Sequence, residues 1–206
     1  MSAKCAIIRL EEVSQHPEFV SIHALPGIHL DLRYAGPANF IGHALYQGFD
    51  GGVLHRQAAR QLEQAAERLQ RERPGWRLRV LDALRPGRVQ QVLWEKVRGT
   101  AQHIYVADPA RGSIHSFGMA VDVTLDDEHG CEVDMGTPFD DFSLRAQPDH
   151  EAQMLACGML DNLQLANRRL LRNCMLPAGF HGIASEWWHF DAADKSWIRA
   201  NMLRVE

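Results

Sequence analysis

With 206 residues, 46% of them apolar and 23% charged, the chain is long enough to bury one substantial core and has the composition of an ordinary globular protein. A net charge of -4, with no block of Lys or Arg, argues against a nucleic-acid partner held through its phosphates. No apolar run approaches a membrane span, and the apolar part of Met1-Ser2-Ala3-Lys4-Cys5-Ala6-Ile7-Ile8 is too short for a secretory segment, so the expected location is the cytoplasm with no membrane partner.

The first 54 residues read as irregular and glycine-containing. Within them, residues 28–34 alternate and predict a strand that Gly36 and Pro37 stop. Phe49-Asp50-Gly51-Gly52 predicts a turn. Residues 55–72 predict the clearest helix, with Ala58, Leu62, Ala65, Ala66 and Leu69 on one stripe. Pro74-Gly75 ends it. A strand follows over 77–84, then a helix over 86–98 opened by Pro86, a residue well tolerated in a first helical turn. A loop covers 99–112. Residues 119–125 predict a strand, paired as a hairpin with Cys131-Glu132-Val133. A long helical stretch over 149–175, interrupted near Gly158, ends at Pro177 and Gly179. Trp187 to Phe190 is aromatic and strand-like. This order predicts a single α+β domain over 1–206, with helices packed on a mainly antiparallel sheet. Cys5, Cys131, Cys157 and Cys174 contain no CxxC pair and read as reduced thiols.

The stretch from Ser113 to Asp122 carries the first chemical signal. His115 and Asp122 are residue types that bind zinc, set seven apart with Gly118 between them. On one unbroken strand that odd spacing would send them to opposite faces, so a bend at Gly118 is expected. Asp122 sits among Ala120, Val121 and Val123, where a carboxylate is costly unless paired or metal-bound. A third donor must come from elsewhere, and His189 in Ser185-Glu186-Trp187-Trp188-His189-Phe190 can supply it. Glu186 is placed to be a general base. Three residues separate Glu186 from His189, so a bulge or a strand entry is expected at Glu186. Arg85 stands between an apolar strand and a helix start, where a cation can stabilise an oxyanion.

At these residues the chain resembles a known family. Ser-x-His-x-x-Gly-x-Ala-x-Asp from Ser113, followed by Glu186-Trp187-Trp188-His189, is similar to the D-alanyl-D-alanine dipeptidases, the VanX-type zinc peptidases. Asp31-Leu32-Arg33-Tyr34-Ala35 with Asn39-Phe40-x-Gly42, Asp82-Ala83-Leu84-Arg85-Pro86, Met135-Gly136-x-x-Phe139-Asp140 and Asn167-Arg168-Arg169 also fit. The likeness divides the chain into an irregular segment 1–30, a family-like core 31–190 and a variable tail 191–206. It implies one zinc ion per chain on His115, Asp122 and His189 at the sheet, Glu186 as catalytic base and Arg85 as transition-state stabiliser. It implies Asp140, Ser113 and Tyr34 as the group that binds a substrate ammonium. The implied substrate is D-alanyl-D-alanine or a close small D,D-dipeptide. The chain departs from the family at Leu84, usually Tyr, at Phe117, often polar, and after Phe190. These departures leave the metal chemistry alone and bear on fine substrate preference. The alternatives are a related zinc D,D-carboxypeptidase or endopeptidase of wall peptides, and a non-catalytic peptide-binding protein. The latter would normally have lost the base, the arginine or a ligand.

Overall fold

The computed structural model describes residues 6–206, so Cys5 lies outside them. In chain order the regular elements are β1 (Ile7–Ile8), β2 (Phe19–Ser21), β3 (Ile28–Leu30), β4 (Val53–His55), α1 (Arg56–Glu72), β5 (Arg77–Asp82), α2 (Gly87–Val97) and β6 (Ala120–Asp126). They continue with α3 (Glu151–Ala156), α4 (Asn162–Met175), β7 (His181–Gly182), β8 (His189–Asp191), α5 (Lys195–Asn201) and β9 (Arg204–Val205), with short 3-10 turns between.

The apolar stripe of α1 decides where the layers meet. Ala58, Leu62, Ala65, Ala66 and Leu69 are all buried, and α1 packs against α4 and β5. The facing side chains are Leu78 and Val80 of β5 and Val121, Val123 and Leu125 of β6, joined by Leu171 and Met175 of α4. The sheet they form has the order β3-β5-β6-β8-β7. The β3–β5 pair is parallel and the other three are antiparallel. This is the expected α+β arrangement, helices on a mainly antiparallel sheet. Among the described residues no helix is long and apolar enough to cross a membrane.

Alternation along β6 sends Asp122, Thr124 and Asp126 to the face opposite the helices, and all three are buried. The neighbouring strand reaches that face by an irregularity. Val80 pairs with Val123, but Asp82 pairs with Asp122, so the register shifts at Leu81. One extra residue re-aims every side chain after it. Asp82 would otherwise point into the apolar layer with Val80. The bulge turns it to the face of Asp122 and delivers the chain to Arg85.

Several local expectations change. The strand over 28–34 ends at Leu30, and Arg33–Ala35 is a 3-10 turn. The hairpin over 119–133 reduces to one bridge between Asp126 and Glu132. There the Asp127 carboxylate accepts from the backbone N–H of His129 and Cys131, and folds the chain into a tight turn instead of a second strand. The stretch 149–175 is two helices. Gly158 adopts a left-handed φ of 70°, and Asp161 restarts α4 with a capping box to Gln164. The N-terminal segment expected to be irregular contributes short strands: β1 pairs with β9, and β2 with β4.

Candidate active site

Three elements carry the candidate metal ligands to one point. His115 lies in the 3-10 turn Ile114–Phe117, and Gly118 closes that turn with a φ of 61°. A side chain at 118 would place its Cβ 2.8 Å from the backbone nitrogen of His55, so the turn needs glycine both for conformation and for space. The chain then enters β6 and presents Asp122. Antiparallel pairing sets His189 of β8 directly opposite Asp122. His115 Nε2 lies 3.2 Å from His189 Nδ1 and 3.3 Å from Asp122 Oδ1. His189 Nδ1 lies 3.0 Å from the same carboxylate oxygen.

The far nitrogens are both engaged. His115 Nδ1 donates to the Ala83 carbonyl at 2.9 Å, a closer partner than Asp82 Oδ2 at 3.5 Å. His189 Nε2 donates to Asp191 Oδ1 at 2.8 Å. Each outer bond fixes the ring and turns its other nitrogen toward the shared point, as outer partners of metal-bound histidines do. Among the described residues this trio is the one group of His, Cys, Asp and Glu side chains arranged to hold a metal ion. The histidines hold the Asp122 carboxyl well below the usual range against the opposing effect of burial. Burial alone would lower His189, but the Asp191 and Asp122 carboxylates outweigh it and raise it to about 10.

Arg85 is only 9% exposed. Its Nε donates to Asp82 Oδ2 at 2.7 Å, Nη1 to Gln90 Oε1 at 3.2 Å and Nη2 to Asp122 Oδ2 at 3.2 Å. It also sits 4.9 Å over the Tyr34 ring. Two carboxylates face each other across β5 and β6, a repulsive pair by itself, and this guanidinium bridges them. Tyr46 donates its hydroxyl hydrogen to the other Asp82 oxygen.

Glu186 lies in the irregular chain before β8, so the expected strand entry is what turns it inward. Its Oε2 is 4.0 Å from His189 Nδ1. Burial pushes its carboxyl up to about 7. Asp140 is also pushed by burial up to about 7, while Arg85 and Tyr34 partly oppose the shift. Tyr34 donates to Asp140 Oδ1 at 3.1 Å. Asp140 has a φ of 61°, the only positive value at a non-glycine among the described residues; such strain concentrates at functional sites.

A cavity of about 200 Å³ joins these groups. Tyr34, Arg85, Ser113, His115, Asp122, Asp140, Glu186 and His189 all line it, so the structure brings together every residue singled out from the sequence. Phe40, Phe142 and Tyr105 stack edge to face and tilted along one wall. Sequence reasoning missed Asp82, Asp191, Gln90 and Tyr46. Asp82 carried the same signal as Asp122, a carboxylate in an apolar strand. Asp191 stands two residues after His189, on the same face of β8. Tyr46 and Gln90 gave no signal of their own.

A family model described as D-ala-D-ala dipeptidase, of the M15 peptidases, matches residues 16–205. A D-alanyl-D-alanine dipeptidase of Escherichia coli is 36% identical over 180 residues, 87% of this chain and 86% of that one. One from Synechocystis is 30% identical over 185 residues, 74% of each chain. A solved LD-carboxypeptidase, LdcB, aligns with a TM-score of 0.47 at 14% identity, over 90% of this chain and 74% of that one, a likeness too slight to argue from. The family match over residues 16–205 and the two dipeptidase relatives show that the chain belongs to the M15 peptidases, in the D-Ala-D-Ala dipeptidase family.

Proposed function

We propose that this peptidase is a zinc-dependent dipeptidase that hydrolyses D-alanyl-D-alanine or a close small D,D-dipeptide. The observation that carries the reading is the spacing of the donor atoms of His115, Asp122 and His189, with Glu186 and Arg85 on the same cavity. Zinc binds such ligands at about 2.0–2.2 Å, so the donors of a four-coordinate ion stand about 3.3–3.5 Å apart. Separations of 3.0, 3.2 and 3.3 Å lie at or within about 0.3 Å below that range, so the three donors already converge on one ion-sized point. His115 Nε2, His189 Nδ1 and Asp122 Oδ1 would hold it, one ion per chain.

When bound, the cation supplies Lewis-acid activation of water and of the scissile carbonyl. The rest falls to side chains. Glu186, with a carboxyl poised near neutral pH, takes the proton of the attacking water and passes it to the leaving amine. Arg85 is positioned by Asp82 and Gln90 before substrate arrives, and it holds positive charge where the oxyanion develops. Asp140, which accepts from the Tyr34 hydroxyl, takes the substrate ammonium, with Ser113 on the same cavity. A cavity of about 200 Å³ is small even for drug-sized ligands, which supports a dipeptide over a wall peptide. Cys131 and Cys157 are exposed free thiols and Cys174 a buried one, which supports a reducing, cytoplasmic setting. The acidic net charge gives no support to a nucleic-acid partner.

The test is hydrolysis by the zinc-loaded protein of D-Ala-D-Ala, L-Ala-L-Ala and N-acetyl-D-Ala-D-Ala. The reading expects cleavage of the first alone. Comparable cleavage of the N-acetyl peptide would replace it with a carboxypeptidase.

A further inference from the structure

The tail after Phe190, where the family motifs end, sends a second helix face into the cavity. The Lys and Arg side chains lining it are Arg85, Lys195 and Arg199, against the carboxylates Asp122, Asp140 and Glu186. Arg85 is committed to Asp82 and Asp122. The other two stand four residues apart on α5, and so on one face of it.

That face is held in place. Ile198 of α5 is fully buried, and the helix packs on the turn that carries His115. Lys195 Nζ lies 3.4 Å from Asp191 Oδ2, the carboxylate whose other oxygen takes the His189 Nε2 hydrogen. An ammonium has three donors, and one contact leaves two for a ligand. Arg199 donates through Nε and Nη2 to the Gly112 carbonyl, at 3.4 and 3.2 Å. A neutral carbonyl orients the guanidinium without cancelling its charge, directly before Ser113.

Sheet order separates the two ends of the cavity. Tyr34 follows β3 and Arg85 follows β5, on one flank of β6. Asp140 is hydrogen-bonded to Tyr34 and so belongs to that flank. Lys195 and Arg199 follow β8, on the other flank. A dipeptide with its ammonium at Asp140 and its amide at the His115–Asp122–His189 point has its carboxylate directed to α5. Its two residues span at most about 7 Å.

We infer that Lys195 and Arg199 bind the substrate's terminal carboxylate and so determine that a free carboxylate is required. The inference rests on the dipeptidase reading above. It gives the cavity a charged contact for each end of the dipeptide.

The experiment measures kcat and KM for D-Ala-D-Ala and for its C-terminal amide. It uses the zinc-loaded protein, Lys195→Gln, Arg199→Gln and the double variant, with Lys195→Arg and Arg199→Lys as charge-keeping controls. The unsubstituted protein should prefer the acid. Each neutral variant should lower the acid-over-amide preference by about ten-fold, and the double variant by about 100-fold, chiefly through KM. The charge-keeping controls should restore most of it. A structural role for α5 would depress both substrates together and preserve the preference, which would overturn the inference. So would equal use of acid and amide by an unsubstituted protein that cleaves D-Ala-D-Ala. Failure of the unsubstituted protein to cleave D-Ala-D-Ala at all would overturn the dipeptidase reading, and this inference with it.

Discussion

Asp140→Asn separates binding from stability, because one carboxylate is useful to substrate binding and costly to the fold at once. Burial raises the Asp140 carboxyl from 3.8 to about 7. A raised acid pKa means that the folded state holds its proton to a higher pH than the unfolded chain does. The stability of the protonated form is therefore fully present below the unfolded value, and is lost as pH rises from there through about 7. Roughly three pH units at 1.36 kcal/mol each set a ceiling of about 4 kcal/mol. The side chain is only partly buried and opens to the cavity, where water screens it, so about 1–3 kcal/mol is the expected cost. Asparagine has nearly the same shape, tolerates positive φ and can still accept from Tyr34. In urea titrations Asp140→Asn should therefore be more stable than the unsubstituted protein at pH 8, by about 1–3 kcal/mol, with little difference at pH 4. KM for D-Ala-D-Ala should rise by about 10- to 100-fold, the value of a charged hydrogen bond to the ammonium. A variant less stable at pH 8, or a difference that does not change with pH, would show that Asp140 is not a strained, ionised binding group.

Glu186→Gln should lower kcat by about 10²–10⁴ and leave zinc content near one per chain, checked by steady-state kinetics beside elemental analysis. Loss of metal with activity would make Glu186 a ligand instead. Asp82→Ala removes the main partner of a buried guanidinium and that of the Tyr46 hydroxyl. It should cost about 3–5 kcal/mol in denaturant unfolding. Gly118→Ala meets both a left-handed φ and the His55 nitrogen. It should destabilise by about 1–3 kcal/mol or more and weaken zinc affinity, because the turn it distorts carries His115.

What could be read in advance follows from how local each cause is. The stripe of α1 and the hinge at Gly118 are written in neighbouring residues, so both were legible. His115, Asp122, Glu186 and His189 stood out because polar groups among apolar ones demand an explanation. The bulge at Leu81 was not legible, since register depends on the partner strand. Without it Asp82 falls on the wrong face, and Arg85 loses the carboxylate that orients it. Residues 28–34 alternate like a strand, yet pairing stops at Leu30. There Asp31 and Arg33 turn outward to Arg79 and Glu132, an ion-pair network formed only by the folded sheet. The α5 cations were hidden for the same reason: nothing near Lys195 or Arg199 in the chain says that their helix closes over His115.

Activity is expected to depend on one cation shared by His115, Asp122 and His189. The most direct measurement titrates zinc into chelator-treated protein while D-Ala-D-Ala hydrolysis is followed. Activity should rise from baseline in proportion to added zinc and level off at one equivalent per chain, and His189→Ala should abolish the rise. Full hydrolysis in the chelator-treated protein, or an undiminished rise in His189→Ala, would contradict it.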